Sequence, residues 1–306
     1  MTDNKRSMFR ALDLLLNEHV PTLKRRNPYW APRPAVCWRE IHVPAWRWFH
    51  VSYEPDVDTE VTFLDRTASW VSAASSAQYA HGALERTGAL PGYGRRPGYY
   101  LVDAHPWQDH RIVSPLGTAD TEARVWVTYP TLEILQRLTE DGVWPGVTIH
   151  DSWTCPDSVR FRAWATAVNQ VRVEAHRDVQ AAMMDGTEAD QAEAEDHYEN
   201  YVKAGYAVAF ETMRGNDDPR EAKSKVRRPD WYQTTVAQAA ANVWRDTWKC
   251  VQAGYQPLFM GAKDEVAYLT EDVRAMMRTT PPVLKIDTTG VQLGHWKVKP
   301  RAVVTS

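Results

Sequence analysis

Pro257-Leu258-Phe259-Met260-Gly261-Ala262-Lys263-Asp264-Glu265-Val266-Ala267-Tyr268-Leu269 sets two apolar runs on either side of a charged tip, Lys263-Asp264-Glu265. That pattern predicts a strand–turn–strand hairpin with an acid at its turn. Just upstream, residues 229–253 predict a helix. Pro229-Asp230 opens it, Val236, Ala240, Val243, Trp244, Thr247 and Val251 are available for burial, and Gly254 closes it. A second strand-end acid stands far away in the chain, where Glu60-Val61-Thr62-Phe63-Leu64-Asp65 reads as a short strand running into an Ala- and Ser-rich helix over 69–84.

Between these two landmarks, strands are expected over 99–102, 124–128 and 147–151, with a helix over 130–141 that starts at Pro130 and ends at Gly142. Residues 158–184 carry Phe161, Trp164, Val168, Val171 and Val179 on one helical face, and 198–213 is a further helical run. The intervening 185–199 is strongly acidic and reads as a solvated turn and helix face. Residues 5–19 have amphipathic helical spacing, while 21–55 is rich in Pro and Trp and predicts an extended arm.

Composition narrows the classes. A hydrophobic fraction of 43% and a charged fraction of 25% over 306 residues describe a globular chain with ample core. The net charge of −3 excludes a basic nucleic-acid coat, so any nucleic-acid surface must be a local patch. Cys37, Cys155 and Cys250 are far apart with no CxxC, as expected of reduced thiols in a cytoplasmic protein rather than of disulfides or a zinc site. The N-terminal apolar stretch is too short and interrupted for a signal peptide or membrane span. The 14 tryptophans read first as core residues, with base stacking the other use of such side chains.

Asp65 and Asp264 are the acids with a chemical reading. Carboxylates at strand ends facing one cleft are what two divalent ions about 3.5–4 Å apart require for phosphoryl transfer. Arg95-Arg96 in a Gly-rich turn and the basic loop over 214–228, with Lys223, Lys225, Arg227 and Arg228, are the local patches suited to DNA phosphates. His150-Asp151-Ser152 suggests a nucleophile set, but its serine does not come within hydrogen-bonding range of the histidine on a strand.

An acid at a strand end, a helical region with a lysine, and an acid in a hairpin follow the order of polymerase motifs A, B and C. Phe63-Leu64-Asp65-Arg66-Thr67-Ala68-Ser69-Trp70 looks like motif A. Tyr201-Val202-Lys203-Ala204-Gly205-Tyr206-Ala207-Val208-Ala209-Phe210 is similar to motif B, Pro257 to Tyr268 resembles motif C, and Val291-Gln292-Leu293-Gly294-His295-Trp296-Lys297 resembles the segment that follows the palm. On these residues, which span roughly 60–300, the chain resembles family B DNA polymerases, specifically the palm-like regions of actinobacterial telomere-associated replication proteins of linear replicons.

The resemblance implies an α/β (α+β) fold: a polymerase-like palm with an antiparallel sheet covered by helices, over 59–306, a fingers-like helical insertion at about 157–228, and an N-terminal helix and Pro/Trp-rich arm over 1–58. It implies Mg2+ or Mn2+ at Asp65 and Asp264 with Glu265 alongside, Lys203 on the triphosphate of an incoming dNTP, and Tyr206, Phe210 and Arg214 around that nucleotide. DNA, and a terminal or priming protein, are the implied partners. Two departures stand out. Ala262 replaces the first aspartate of motif C, and Glu265, next to Asp264 in a strand, is expected to face away from it. The implied function is template-linked nucleotidyl transfer in replication of a linear replicon, plasmid or phage genome. The alternative is a catalytically inactive, palm-like DNA-binding scaffold at DNA ends.

Overall fold

The computed structural model of the chain describes residues 41–43, 46–50, 60–89, 95–214, 228–262 and 264–299. The helix expected over 5–19, most of the Pro/Trp-rich arm, and Lys223, Lys225 and Arg227 lie outside the described residues.

In chain order, β1 (Ile41–His42) and β2 (Trp46–Phe49) precede β3 (Val61–Arg66), α1 (Ser69–Ser76), β4 (Tyr79–Ala80), β5 (Glu85–Arg86) and β6 (Gly98–Asp103). There follow β7 (Arg124–Thr128), α2 (Tyr129–Glu140), β8 (Ile149–Thr154), β9 (Ser158–Val159) and the long α3 (Arg162–Asp185). The chain continues through α4 (Glu188–Asp196), a π-helical stretch (His197–Lys203), α5 (Ala204–Arg214), α6 (Pro229–Gln252), β10 (Phe259–Ala262), β11 (Glu265–Leu269), α7 (Thr270–Met276) and β12 (Trp296–Val298).

Two five-stranded sheets organise these elements. One has the order β1-β7-β6-β8-β5, antiparallel except where β1 joins β7. The other has the order β12-β3-β11-β10-β2 and is antiparallel throughout. The expected mixed α/β fold with an antiparallel sheet under helices is therefore present. The segment read as an extended arm contributes two strands, one to each sheet, because Trp46–Phe49 finds hydrogen-bonding partners in β10 that no local pattern announces.

Helix α6 runs between the layers and is buried around most of its circumference. Ala237, Ala239, Ala240 and Ala241 let neighbours approach closely, and Val236, Val243 and Val251 fill the gaps. Two of its three tryptophans satisfy their indole N–H groups as they are buried: Trp231 donates to Ala80 O at 2.9 Å and Trp244 to Val113 O at 2.9 Å. One core cluster joins α6 to both sheets through Leu64, Tyr100, Val127, Leu132, Met260, Val266, Tyr268 and Trp296. A second joins α1, α3, α5 and α6 through Val71, Phe161, Trp164, Phe210 and Trp231. The core reading of the tryptophans holds for Trp164, Trp231, Trp244 and Trp296, which are fully buried.

The helix expected over 69–84 ends at Ser76. Ala77 turns extended and Tyr79 and Ala80 pair with β9, so that Tyr79 stacks on Phe161 at 4.2 Å and its hydroxyl meets that of Thr235. Burying a tyrosine ring against an aromatic outweighs continuation of an Ala/Ser-rich helix. The acidic stretch forms α4, with no buried residue and a Thr187–Asp190 capping box, which agrees with the solvated reading.

Candidate active site

Among the described residues, α6 packs against one face of the sheet that contains β3 and β11. In an antiparallel sheet, residues that pair across strands share a face. Leu64 pairs with Val266 and Val298, Met260 with Val266, and Arg66 with Trp296, and this is the face that meets α6. The opposite face carries Asp65, which pairs with Glu265 on one side and Lys297 on the other, and Phe63, which pairs with Ala267. Phe49 and Phe259 follow on the same face, with ring centroids 4.9 Å apart, and Phe63 lies 5.9 Å from Phe259.

Asp65 and Glu265 thus stand directly opposite one another on neighbouring strands, where Cβ atoms lie about 4.5–5.5 Å apart. The hairpin turn falls where the sequence pattern places it. Asp264 belongs to the turn, and its carbonyl accepts from Arg66 N at 2.7 Å, while Glu265 is the strand residue that faces Asp65. Each strand acid has a lysine. Lys297 Nζ lies 3.2 Å from Asp65 Oδ2, and Lys299 Nζ donates to Glu265 Oε1 at 2.7 Å. Burial alone would lower the pKa of the Lys299 ammonium. The hydrogen bond to Glu265 and the charges of Asp65, Glu265 and Asp264 lift it above the usual lysine value, so three carboxylates act on one point.

Behind Asp65, on the covered face, Arg66 pairs with Asp246 of α6, and Trp296 Nε1 donates to the same carboxylate at 3.1 Å. The loop after Asp65 is held by Thr67 N to His295 O at 2.9 Å and Gly294 N to Thr67 O at 2.9 Å. Ala68, at φ 45° and ψ 52°, sits in the left-handed region, a conformation that costs a non-glycine residue of order 1 kcal/mol and persists only under such restraint. Gly294 has φ +72°, and a Cβ there would be driven into Ser72 Oγ of α1. Gly294→Ala should therefore lower stability by about 1–3 kcal/mol, read as a shift in the denaturant midpoint with an unchanged m-value.

Asp287 builds the turn that leads into β12. It accepts from Thr289 N, Thr289 Oγ1, Val291 N and Gln292 N at 2.6–3.0 Å. Burial pushes its carboxyl up, but these bonds outweigh burial and hold it at about 2. A depressed folded-state pKa contributes stability above the unfolded value near 4 that is lost as pH falls toward 2. Asp287→Asn should remove about 2 kcal/mol at neutral pH and flatten the acid limb of the stability curve over that window.

The helical segments carry Lys203, Tyr206, Phe210 and Arg214. Lys203 Nζ binds Glu199 at 2.5 Å and lies 5.3 Å over Tyr198, so it sits at the surface, engaged with its own helix. Tyr206 is near Asp65: burial raises its pKa first, and the charge of Asp65 contributes to the same shift. Phe210, expected beside a nucleotide, is fully buried against Trp70 and Trp164 and belongs to the core. Arg214 pairs loosely with Glu211 at 3.5 Å and lies over Tyr232. Arg95 and Arg96 are exposed, as a phosphate patch requires. Arg228 is only 3% exposed. It donates to Asp230 at 2.6 Å, Ala80 O at 2.8 Å and Gly82 O at 3.2 Å, so it is a structural cation and not part of a DNA surface. In the set His150-Asp151-Ser152, His150 is engaged with Asp103 at 2.6 Å and the Ser152 hydroxyl donates to Gly88 O at 2.6 Å, which leaves no nucleophile.

Solved structures share this architecture. Phi29 DNA polymerase complexed with primer-template DNA, in its post-translocation binary complex, matches over 96% of this chain and 51% of its own, with TM-score 0.57 and 8% identity. Its ternary complex with primer-template DNA and incoming nucleotide substrates gives 0.54 at 9% identity over the same shares, and its orthorhombic crystal form gives 0.52 at 10% over 85% and 46%. The fold is polymerase-like. The chain spans about half the length of the polymerase chains it matches. No family model and no curated protein sequence matches the chain.

Sequence reasoning missed Lys297 and Lys299 as site residues. Their signal was the spacing of two, which puts both on one face of a strand. Among the described residues, no group of three His, Cys, Asp or Glu side chains is placed to hold a metal by itself, and no helix is long and apolar enough to cross a membrane.

Proposed function

We propose that the chain is a DNA polymerase-like nucleotidyltransferase that acts in replication of a linear replicon, plasmid or phage genome, with Mg2+ or Mn2+, DNA and a dNTP as its ligands. The observation that carries this reading is the pair Asp65 and Glu265, facing each other across β3 and β11 on the sheet face opposite α6, with Asp264 at the adjoining turn. Hard carboxylate oxygens suit Mg2+, which commonly takes one or two protein carboxylates and completes its shell with water and substrate phosphates. The donor set fits such an open site better than a closed all-protein cage. When bound, the metal would supply charge stabilisation at the phosphate and a lower pKa for the attacking hydroxyl.

The chain's own residues would hold the carboxylates rigidly on a sheet backed by α6, and position the ligand between that sheet and the helices carrying Lys203 and Tyr206. Arg95 and Arg96, with the loop that includes Lys223, Lys225 and Arg227, would contact DNA phosphates. A terminal or priming protein, a telomeric setting and a cytoplasmic location follow from the family resemblance. The Phi29 polymerase structures that hold DNA support a similar placement of DNA here.

A second reading, an inactive palm that serves as a scaffold at DNA ends, is favoured by the lysines that already engage Asp65 and Glu265 and by Ala262 at the motif C position. Primer extension with labelled dNTPs and Mg2+ or Mn2+ separates the two. Incorporation is expected. Salt-sensitive DNA binding without incorporation on any primer, unchanged by Asp65→Ala, would leave only the scaffold.

A further inference from the structure

Lys297 belongs to β12, the outermost strand of its sheet, and Lys299 follows directly after that strand. Strand β12 pairs with β3 on one side, and on the other Trp296 alone meets the segment 285–287, through the Ile286–Trp296 bridge and the bonds Trp296 N to Lys285 O at 2.9 Å and Asp287 N to Trp296 O at 2.7 Å. Guarding a sheet edge calls for charge but for no particular acid, so it does not by itself account for the pairing of each lysine with a different acid. What they share is a face, and on that face each reaches a different acid of the pair. The lysine side chains are 34% and 41% exposed, whereas those of Asp65 and Glu265 are 18% and 24% exposed. The acids are thus covered by cations whose charged ends remain at the solvent boundary. An ammonium carries three donors, which one carboxylate does not use up, and its four-carbon stem lets it turn without moving the strand.

We propose that Lys297 and Lys299 are exchangeable counter-cations of the acid pair: without divalent metal they hold Asp65 and Glu265, and when a divalent cation takes those oxygens they turn to phosphate oxygens of bound DNA. The inference deepens the nucleotidyl-transfer reading and rests on it for the identity of the phosphate ligand. The exchange is a balance of charges. Two carboxylates facing across a strand pair repel one another unless a positive charge lies between them, and either two ammonium groups or one divalent ion with its waters meets that need. Both together would place excess positive charge in one spot, so arrival of the metal frees the lysines, and phosphate is the anion that then lies nearest.

Mn2+ titration followed by electron paramagnetic resonance tests the exchange without reference to catalysis. The double variant Lys297→Met/Lys299→Met should bind Mn2+ about tenfold or more tightly than wild type, because two competing positive charges are gone. The double variant Lys297→Arg/Lys299→Arg should stay close to wild type, which controls for damage to β12. In the same proteins, the affinity for primed DNA should rise with Mn2+ in wild type and not in the methionine variant. Mn2+ affinity that is unchanged or weaker in a methionine variant with wild-type melting behaviour would overturn the exchange, and with primer extension intact it would leave the nucleotidyl-transfer reading standing. Failure of wild type and both variants to bind Mn2+ would sink the two together.

Discussion

Asp65→Ala and Glu265→Ala should each lower nucleotide incorporation by about 10^3-fold or more while leaving the protein folded. The loss follows from removing a fixed negative charge that would anchor a metal at the reacting phosphate. Preorganised groups of this kind contribute about 3–4 kcal/mol or more to transition-state stabilisation. Folding should be nearly unaffected, because the ion pairs of both acids with Lys297 and Lys299 are partly solvated, where such pairs contribute about 0–1 kcal/mol. Asp264→Ala is the informative comparison. It should have the smaller effect, since Asp264 stands at the turn and Glu265 faces Asp65 in register. Steady-state primer extension on the three variants, with melting curves on the same samples, checks all of this. Loss of activity in Asp264→Ala with tolerance of Glu265→Ala would reverse the assignment of the two neighbours.

Arg228→Ala should destabilise the fold by about 3–5 kcal/mol, the cost of leaving one partner of a buried ion pair unpaired. Its guanidinium joins Asp230 in the first turn of α6 to the carbonyls of Ala80 and Gly82, and it packs 4.3 Å over the Trp231 ring. Burial alone would disfavour its charge, and Asp230 more than restores it. Arg228→Lys should recover only part of the loss, because a point charge cannot serve a carboxylate and two carbonyls as a planar fork does. Chemical denaturation of both variants measures this. A DNA contact at Arg228 would instead lower affinity and salt dependence with stability unchanged, and that outcome would refute the structural role.

How much of this was legible in the chain follows from how far apart the relevant residues lie. Helix α6 and the β10–β11 hairpin were readable because their signals are local: a proline at the start, a glycine past the end, apolar runs around a charged tip. Asp65 was readable as a strand-end acid for the same reason. Register was not. A one-residue slip moves every side chain to the other face, and what pins β11 against β3 is burial of Val266 and Tyr268 against α6, which is a tertiary fact. Only that packing distinguished Glu265 from Asp264 as the partner of Asp65. It also decided that Phe210 and Arg228 are interior and that Trp46–Phe49 is a strand of the sheet that carries Asp65. Composition and periodicity state which residues avoid water, and so they placed the helices and the acids. Which buried surface each residue meets depends on contacts between segments hundreds of residues apart, and only the folded chain brings Lys297 and Lys299 over the two acids.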